Sequence, residues 1–162
     1  MNRFFSYINS MDLNTLISQI SMELENNKQL KDLLYLVQQY SGNEWKKYIQ
    51  FSEKHYCKNT IYQCDKFEIV LICWNRNQSS NIHDHPDKGC ILKVVDNYLI
   101  EEFYNLDIKL EKINNINQNE ISYIDNTMGY HKIINTDKPT ISIHIYNPPN
   151  YKSNIINKLE KI

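Results

Sequence analysis

The sequence predicts a mainly β fold, an antiparallel sandwich or jelly-roll β-barrel that follows an N-terminal helical cap. Two observations support this class. Apolar residues recur at helical spacing between residues 12 and 50, whereas from Tyr56 onward the chain consists of short apolar or alternating segments. With 162 residues the chain is long enough for one domain with its own core. We expect that domain to cover residues 1–162, with the helical part in about residues 1–55 and the barrel in about residues 56–150.

The helical part contains three predicted helices. The first begins after Asp12, a residue type that caps helix N-termini, and its apolar stripe runs from Leu13 to Leu24. A second stripe runs from Leu30 to Val37, and a third, shorter helix is predicted around residues 45–51. We expect these stripes to pack into the protein core.

Seven strands are predicted in the second part of the chain, because their residues are continuously apolar or alternate with polar ones. Asp96-Asn97 predicts a two-residue hairpin turn, and residues 136–139 predict a longer one. The asparagine-rich residues 114–119 are typical of a low-complexity loop. The predicted strands cover residues 67–74, 82–85, 90–95, 98–104, 121–124, 131–135 and 140–146.

Composition excludes several functional classes. A formal net charge of -1, with both signs mixed along the chain, argues against a nucleic-acid-binding or membrane-surface protein. Apolar runs are too short for a transmembrane helix, and residues 1–10 lack the layout of a signal peptide, so we expect a cytoplasmic protein. In that reducing compartment the four cysteines are not expected to form a disulfide framework, and no Cys-x-x-Cys pair indicates a zinc knuckle.

A candidate metal site is formed by His83-Asp84-His85 and the distant His131. Side chains alternate between the two faces of a strand, so a His-x-His strand directs both imidazoles to one side. A third histidine from a neighbouring strand would complete a site that is open to ligands on its other side. The common cupin motif has a glutamate ligand shortly after His-x-His, but here Cys90 takes that place. The sequence therefore predicts a three-histidine site beside a thiol.

A second candidate is the row Ser142, His144 and Tyr146, which shares one face of a predicted strand. Polar groups on an inward face are costly to bury unless they bond to one another or to a ligand. The row is therefore either a buried hydrogen-bond network or the wall of an active site. The His-x-His motif elsewhere in the barrel favours the active site.

Together these segments resemble the cysteine dioxygenase family, whose members are cupin-fold, non-haem iron enzymes that oxidise a thiol to a sulfinic acid with O2. The resemblance extends from Tyr56 to Tyr151, and the helical N-terminus is compatible with it. His-x-His alone is a weak signal, but the combination of motifs is specific. The matching segments are Cys73-Trp74, Ser79-Ser80, residues 82–85, residues 90–93 and residues 142–149.

The resemblance implies that His83, His85 and His131 hold Fe(II) in a facial set related to the two-His-one-carboxylate oxygenase sites. Cys90 and Tyr146 would face each other, and in the family such a pair can become a thioether crosslink. The implied substrates are L-cysteine and O2, without an organic cofactor. A partner nucleic acid or membrane is not implied, and we expect a monomer.

The resemblance also implies supporting roles for residues around this centre. His144 would form a hydrogen bond with the phenol, and Ser142 would support His144 from behind. Trp74 would pack near the thiol–phenol pair. Tyr56 and Lys58 would contact the carboxylate of the substrate.

One departure from the family bears on the substrate. Cysteine-specific members have an arginine where this chain has Lys58, and the two arginines of the chain, Arg3 and Arg76, lie elsewhere. Arginine binds a carboxylate through two parallel hydrogen bonds, whereas lysine offers a point charge, so we expect weaker or less selective carboxylate binding. Relatives selective for 3-mercaptopropionate commonly lack both the arginine and the crosslinking cysteine. Because Cys90 is retained, L-cysteine is the favoured substrate.

Two alternatives remain open at this level. The first is a thiol dioxygenase for 3-mercaptopropionate or cysteamine, favoured by Lys58 and disfavoured by Cys90. The second is a non-catalytic cupin that binds a metal such as zinc through its three histidines.

The remaining candidates receive structural assignments. We expect Asp84 to face away from the metal and His55 to lie on the surface. Cys57 and Cys64 are expected in loops and Cys73 in the core, and Asn147-Pro148 can adopt a cis peptide bond.

Overall fold

A computed structural model describes residues 10–157 of the protein. The prediction that residues 1–10 do not form a signal peptide lies outside the described residues, apart from Ser10. Within the range, the N-terminal part contains the helices α1 (Leu13–Glu25) and α2 (Leu34–Gln39) and the 3-10 helices Leu30–Leu33 and Glu44–Tyr48. The carboxylate of Asp12 accepts a hydrogen bond from the backbone N–H of Thr15 over 2.7 Å, which confirms the predicted N-cap. Among residues 10–157, no helix has the length and apolar character needed to cross a membrane.

The strands confirm the mainly β class, because eight of them follow the helices within the described range. They are β1 (Cys57–Gln63), β2 (Glu68–Trp74), β3 (Cys90–Asp96), β4 (Tyr98–Tyr104), β5 (Leu110–Asn117), β6 (Ile121–Ile124), β7 (Tyr130–Ile134) and β8 (Thr140–Tyr146). Five strands form one sheet in the order β1-β2-β8-β3-β6, and three form a second sheet in the order β5-β4-β7. Every pairing between them is antiparallel.

The larger sheet separates two apolar clusters. Its outer face packs beneath the N-terminal helices in a cluster that includes Leu16 and Ile91. Its inner face and the smaller sheet enclose a second cluster that includes Leu92, Leu99 and Ile133. Side chains of adjacent residues point to opposite faces, so Ile91 contacts the helical side and Leu92 the interior. Because both faces are covered, β2 and β8 are buried at every residue.

Both predicted hairpins are wrong, and for the same reason. Asp96-Asn97 joins β3 to β4 and residues 136–139 join β7 to β8, but in each case the two strands belong to different sheets. Asn97 has a φ of 60°, the backbone conformation that a tight turn requires. The turn residues therefore reverse the chain as predicted, whereas the packing of the two sheets decides which strands pair.

The predicted loop at residues 114–119 is also wrong over most of its length. Residues up to Asn117 belong to β5, which pairs with β4 along its whole length. Ile116 is 3% exposed and packs into the inner cluster. Most other residues of β5 lie on the protein surface. The tract therefore lacks the clear alternation of apolar and polar residues that predicts a strand.

A buried lysine joins the larger sheet to the helical part. Lys93 in β3 is 1% exposed, and its Nζ donates hydrogen bonds to the carbonyl oxygens of Val37 (2.9 Å), Gln38 (2.9 Å) and Tyr40 (2.5 Å). The last turn of a helix leaves carbonyl groups without intrahelical partners. Lys93 satisfies three carbonyls at the end of α2 and so fixes β3 against the helical part.

Candidate functional site

The His-x-His segment is held between β7 and the C-terminal end of the described chain. His83 and His131 exchange two backbone hydrogen bonds of 3.0 and 3.3 Å, and the N–H of Ile156 donates to the carbonyl of Ile82 over 2.8 Å. The segment forms isolated bridges and not the predicted strand at residues 82–85. Pro86 has no N–H with which the ladder could continue.

The three histidines come together as predicted. Their candidate ligand atoms all lie within 4.8 Å of one another. The ring centroids of His83, His85 and His131 are 4.3 to 4.8 Å apart in pairs. His85 and His131 are buried and His83 is half-buried. One short segment and one neighbouring strand therefore form a compact cluster of imidazoles.

The imidazoles are suited to bind a metal ion as neutral ligands. Nδ1 of His83 lies 2.8 Å from the carbonyl oxygen of Asn81, and Nδ1 of His131 lies 2.8 Å from Oε1 of Glu101. Both contacts require a proton on Nδ1, which leaves the Nε2 lone pair of each ring for a metal. Nδ1 of His85 is buried without a hydrogen-bond partner among residues 10–157. These nitrogen donors fit a divalent transition metal such as iron or zinc.

Burial favours the neutral state of the His83 and His85 rings. Burial, together with a smaller contribution from repulsion by His131, lowers the pKa of His83 to about 3. The same two causes hold the pKa of His85 well below its ordinary value. Metal ligation requires the neutral imidazole, so the protein environment favours the form that binds a metal.

Glu101 on β4 is a site residue that the sequence analysis missed. Its carboxylate accepts the hydrogen bond from His131 and further hydrogen bonds from Ser122 Oγ (2.9 and 3.0 Å) and Asn114 Nδ2 (3.2 Å). Burial raises the pKa of Glu101, but the hydrogen bonds from His131, Ser122 and Asn114 bring it below its ordinary value. A buried, ionised carboxylate therefore orients the ring of His131.

A signal for Glu101 is present in the sequence but is obscured by its neighbour. Glu101 is two residues after Leu99, so both side chains share the inward face of β4. Glu102 follows directly and is half-buried. Two adjacent glutamates are typical of an exposed part of a strand, so the sequence does not indicate that Glu101 is buried. Only the pairing of β4 with β7, which carries His131, identifies the functional carboxylate.

The predicted polar row on β8 forms a hydrogen-bonded chain that begins on β2. Trp74 Nε1 donates to Ser142 Oγ over 2.9 Å. Ser142 Oγ lies 2.9 Å from His144 Nε2, and Tyr146 Oη lies 3.4 Å from His144 Nδ1. All four side chains are buried, so the row forms the hydrogen-bond network that was one of the two alternatives left open by the alternation pattern.

The direction of these hydrogen bonds follows from donor chemistry. The indole of Trp74 can only donate, so Ser142 accepts from it and its own hydroxyl proton is available for His144 Nε2. Burial holds the pKa of His144 well below its ordinary value, so the ring is neutral and has one donor and one acceptor. With Nε2 accepting, Nδ1–H points to Tyr146 Oη. The phenol proton is then directed away from His144 and toward Cys90, with which the Tyr146 hydroxyl forms a hydrogen bond.

Cys90 and Tyr146 are direct register partners of β3 and β8. Directly opposite residues of an antiparallel pair share one face, with Cβ atoms about 4.5–5.5 Å apart. Burial raises the pKa of both groups well above their ordinary values, and in Cys90 the positive charge of Lys58 opposes this effect. Both groups are therefore protonated at neutral pH, and the sequence-predicted pair lies side by side.

Tyr56 and Lys58 border the same interior. The Tyr56 ring stacks on Trp74 with centroids 4.5 Å apart, and Lys58 Nζ lies 5.9 Å from the centre of the Tyr56 ring. Lys58 pairs with Ile72, an inward-facing residue of β2, and its side chain is exposed at the rim. Its charge helps to lower the pKa of His83, His85 and His144, although burial is the main cause. Lys58 thus places a positive charge within electrostatic range of the histidine cluster.

The other assignments from sequence are mostly confirmed. The carboxylate of Asp84 accepts two hydrogen bonds of 2.7 Å from Asn154 and faces away from the histidine cluster. His55 is exposed, Cys73 is buried, and the Asn147-Pro148 bond is cis. The assignment of Cys57 to a loop is wrong, because it opens β1.

Arginine does not take the place of Lys58 among the described residues. Arg76 is exposed in the turn that follows β2, and Arg3 lies outside the range 10–157. The positive charge at this rim is therefore supplied by lysine.

Solved structures share the fold of this chain. An uncharacterized conserved protein with a double-stranded β-helix domain from Klebsiella pneumoniae aligns with a TM-score of 0.60 at 15% identity, over 72% of this chain and 96% of that chain. A cupin superfamily protein from Desulfitobacterium hafniense aligns with a TM-score of 0.54 at 10% identity, over 66% of this chain and 90% of that chain. These similarities establish the cupin-like jelly-roll fold.

Sequence comparison identifies the family. Cysteine dioxygenase type 1 from Danio rerio is 29% identical over 132 residues, which is 74% of this chain and 66% of that relative. The chain thus spans a little under two thirds of the length of the curated relative. The family model for cysteine dioxygenase type I matches residues 6–158. With that match over nearly its whole length, the chain belongs to the cysteine dioxygenase type I family.

Proposed function

We propose that the protein is a cysteine dioxygenase that uses Fe(II) and O2 to convert L-cysteine into cysteine sulfinic acid. The observation that carries this proposal is the register pairing of Cys90 with Tyr146 on the interior wall, where His144 lies within electrostatic range of the three-histidine cluster. A protein that only binds a metal has no need of a buried thiol–phenol pair there. Membership of the family supports the same reaction.

In this proposal His83, His85 and His131 would hold Fe(II), which when bound supplies a site for the thiolate and for activation of O2. Glu101 keeps the ring of His131 in the orientation that presents Nε2 to the metal. The rest of the chain provides binding, orientation and a dry interior. Its apolar lining excludes water that would compete with the reactants.

Three side chains have proposed roles toward the substrate. Lys58 attracts the carboxylate of cysteine at the rim, and Tyr56, stacked on Trp74, borders the pocket beside it. The phenol of Tyr146, which is hydrogen-bonded to Cys90 in the structure, would turn its proton toward an oxygen atom of the reacting groups. We also propose that Cys90 and Tyr146 form a thioether crosslink, with loss of two hydrogen atoms to O2.

A thiol dioxygenase for 3-mercaptopropionate or cysteamine is the second candidate. The observation that favours it is Lys58, because a single ammonium group selects less strictly for an amino acid carboxylate than a bidentate arginine does. A non-catalytic cupin with zinc in the three-histidine site is the third candidate.

O2 consumption by the Fe(II)-loaded protein tests these candidates. L-cysteine, 3-mercaptopropionate and cysteamine are supplied separately, and the sulfinate product is identified by mass spectrometry. We expect the highest uptake with L-cysteine, and loss of uptake in His85→Ala but not in the exposed control His55→Ala. A preference for another thiol would replace L-cysteine as the proposed substrate and leave the proposed mechanism unchanged. Absence of O2 uptake with all three thiols despite bound iron would support the third candidate, a non-catalytic cupin that binds a metal.

A further inference from the structure

Two cysteines outside the proposed catalytic centre are paired across β1 and β2. Cys57 and Cys73 are direct register partners, so their side chains share the outer face of the larger sheet. Direct antiparallel partners have Cα atoms about 4.5–5.5 Å apart, which lies inside the range of about 4.4–6.8 Å found in disulfides. Both thiols are free in the structure.

The two thiols differ in their access to solvent. Cys73 is 0% exposed, whereas Cys57 is half-buried and lines a surface groove of about 580 Å³. Lys58 lines the same groove, so it offers positive charge to an anionic reagent. Burial, with a smaller contribution from Cys57, raises the pKa of the Cys73 thiol, so Cys57 is the thiol that reacts first.

The pair also lies directly behind the proposed substrate pocket. Cys57 stands between Tyr56 and Lys58 in the chain, and Cys73 precedes Trp74. Adjacent residues of a strand point to opposite faces, so the thiols lie on the outer face while their neighbours border the interior. A change in the backbone at Cys57 is therefore passed to both proposed substrate contacts.

We propose that Cys57 and Cys73 are a modification site, at which a small anionic disulfide such as glutathione disulfide converts the two thiols into a reversible intramolecular disulfide. The Cys57 thiolate attacks one sulfur of the reagent, forms a mixed disulfide and releases one small thiolate. Cys73 then attacks the Cys57 sulfur and releases the second thiolate. Two protein thiols are oxidised and one reagent disulfide is reduced to two thiols, so atoms and electrons balance.

The regulatory consequence rests on the proposed function. A disulfide draws its two Cβ atoms to about 3.8 Å, closer than the usual 4.5–5.5 Å of register partners. Closing this gap moves β1 by about 1 Å at Cys57, a displacement that can lower a catalytic rate by about 10²-fold when it affects substrate contacts. The oxidised protein is therefore expected to turn over its thiol substrate at least about tenfold more slowly.

Tryptic mapping tests the chemistry independently of any activity. Cleavage after lysine and arginine places the four cysteines in four separate peptides, with Cys57 in residues 55–58, Cys64 in 59–66, Cys73 in 67–76 and Cys90 in 89–93. The Fe(II)-loaded chain is treated with glutathione disulfide without O2, remaining thiols are alkylated, and the digest is analysed by mass spectrometry. We expect a linked peptide that joins residues 55–58 to 67–76 and disappears on reduction.

Three variants define the outcome. Cys57→Ser is expected to abolish the linked peptide and leave the activity of the reduced protein unchanged. In Cys73→Ser the reaction is expected to stop at the mixed disulfide between glutathione and Cys57. The control Cys64→Ser is expected to form the linked peptide as the wild-type protein does. A wild-type protein that stops at glutathione on Cys57, or that links Cys57 to Cys64, overturns the proposal. If the link forms but thiol oxidation is absent before and after reduction, the proposed function fails and the modification site stands.

Discussion

Oε1 of Glu101 lies 2.8 Å from Nδ1 of His131, and the side chains of these residues are 4% and 3% exposed. The contact connects the metal-binding cluster to β4, a strand that contributes no imidazole of its own. A carboxylate in this position fixes the histidine tautomer and makes the ring a stronger ligand. The Glu101 carboxylate therefore places a negative charge next to His131, in a site whose candidate ligands are all imidazoles.

Replacing Glu101 with glutamine is expected to weaken metal binding. Glu101→Gln keeps the size of the side chain and removes its charge, so Fe(II) or Co(II) affinity should fall by about 10- to 100-fold. Competition with a coloured chelator measures the affinity. Glu102→Gln, which alters the adjacent half-buried carboxylate, is the control and should bind metal normally. Equal affinity in the two variants would show that the Glu101–His131 contact has no role in holding the metal.

Removal of the Tyr146 hydroxyl should slow turnover without affecting the metal. Tyr146→Phe loses the donated phenol proton, and loss of one oriented donor typically lowers kcat by about 10²-fold. The variant also loses the proposed crosslink, so Cys90→Ser, which loses the crosslink and keeps the phenol, is the matched control. Steady-state O2 uptake should rank Tyr146→Phe well below Cys90→Ser. The same rate in both would assign the effect to the crosslink alone.

Exchange of lysine for arginine at the rim tests substrate binding. In Lys58→Arg the guanidinium can form two hydrogen bonds with the carboxylate, so KM for L-cysteine should fall by about 5- to 10-fold while KM for cysteamine, which has no carboxylate, stays the same. Lys54→Arg makes the same exchange at an exposed position outside the proposed site. An unchanged KM for L-cysteine would remove Lys58 from the binding site.

The proposed thioether has a mass signature. After turnover with Fe(II), L-cysteine and O2, part of the protein should become lighter by two hydrogen atoms, and the peptide that contains Cys90 should be joined to the peptide that contains Tyr146. Cys90→Ser should abolish the shift, whereas Cys64→Ser should retain it. Persistence of the mass shift in Cys90→Ser would assign the modification to other residues.

Lys93 is expected to contribute strongly to stability. Lys93→Met fills a similar volume but removes the charged donor from three carbonyl groups at the end of α2, of which that of Val37 keeps the backbone N–H of Tyr40, so the free energy of unfolding should fall by about 3 kcal/mol. Urea denaturation measures the change. The control Lys112→Met, at an exposed position of β5, should change stability by less than about 0.5 kcal/mol. A similar effect in both variants would mean that the three hydrogen bonds do not stabilise the fold.

The sequence by itself determined the fold class, the N-cap of α1 and the candidate residues of the centre other than Glu101. Asp12 caps its own helix, and the alternation in β8 places Ser142, His144 and Tyr146 on one face. Such features depend on residues within a few positions of one another, where backbone geometry alone sets the direction of each side chain. The resemblance to the family then assigned roles to the distant residues His131 and Cys90.

Tertiary structure alone decided the features that join distant segments. The turn at Asn97 reverses the chain, but the packing of two sheets sends β4 away from β3. Glu101 became a site residue only because β4 pairs with the strand of His131, and Lys93 became a helix cap only because α2 ends above β3. The pairing of Cys57 with Cys73 likewise depends on register. Charged and polar side chains carry no sequence signal for burial, because the partners that make their burial favourable lie far away in the chain.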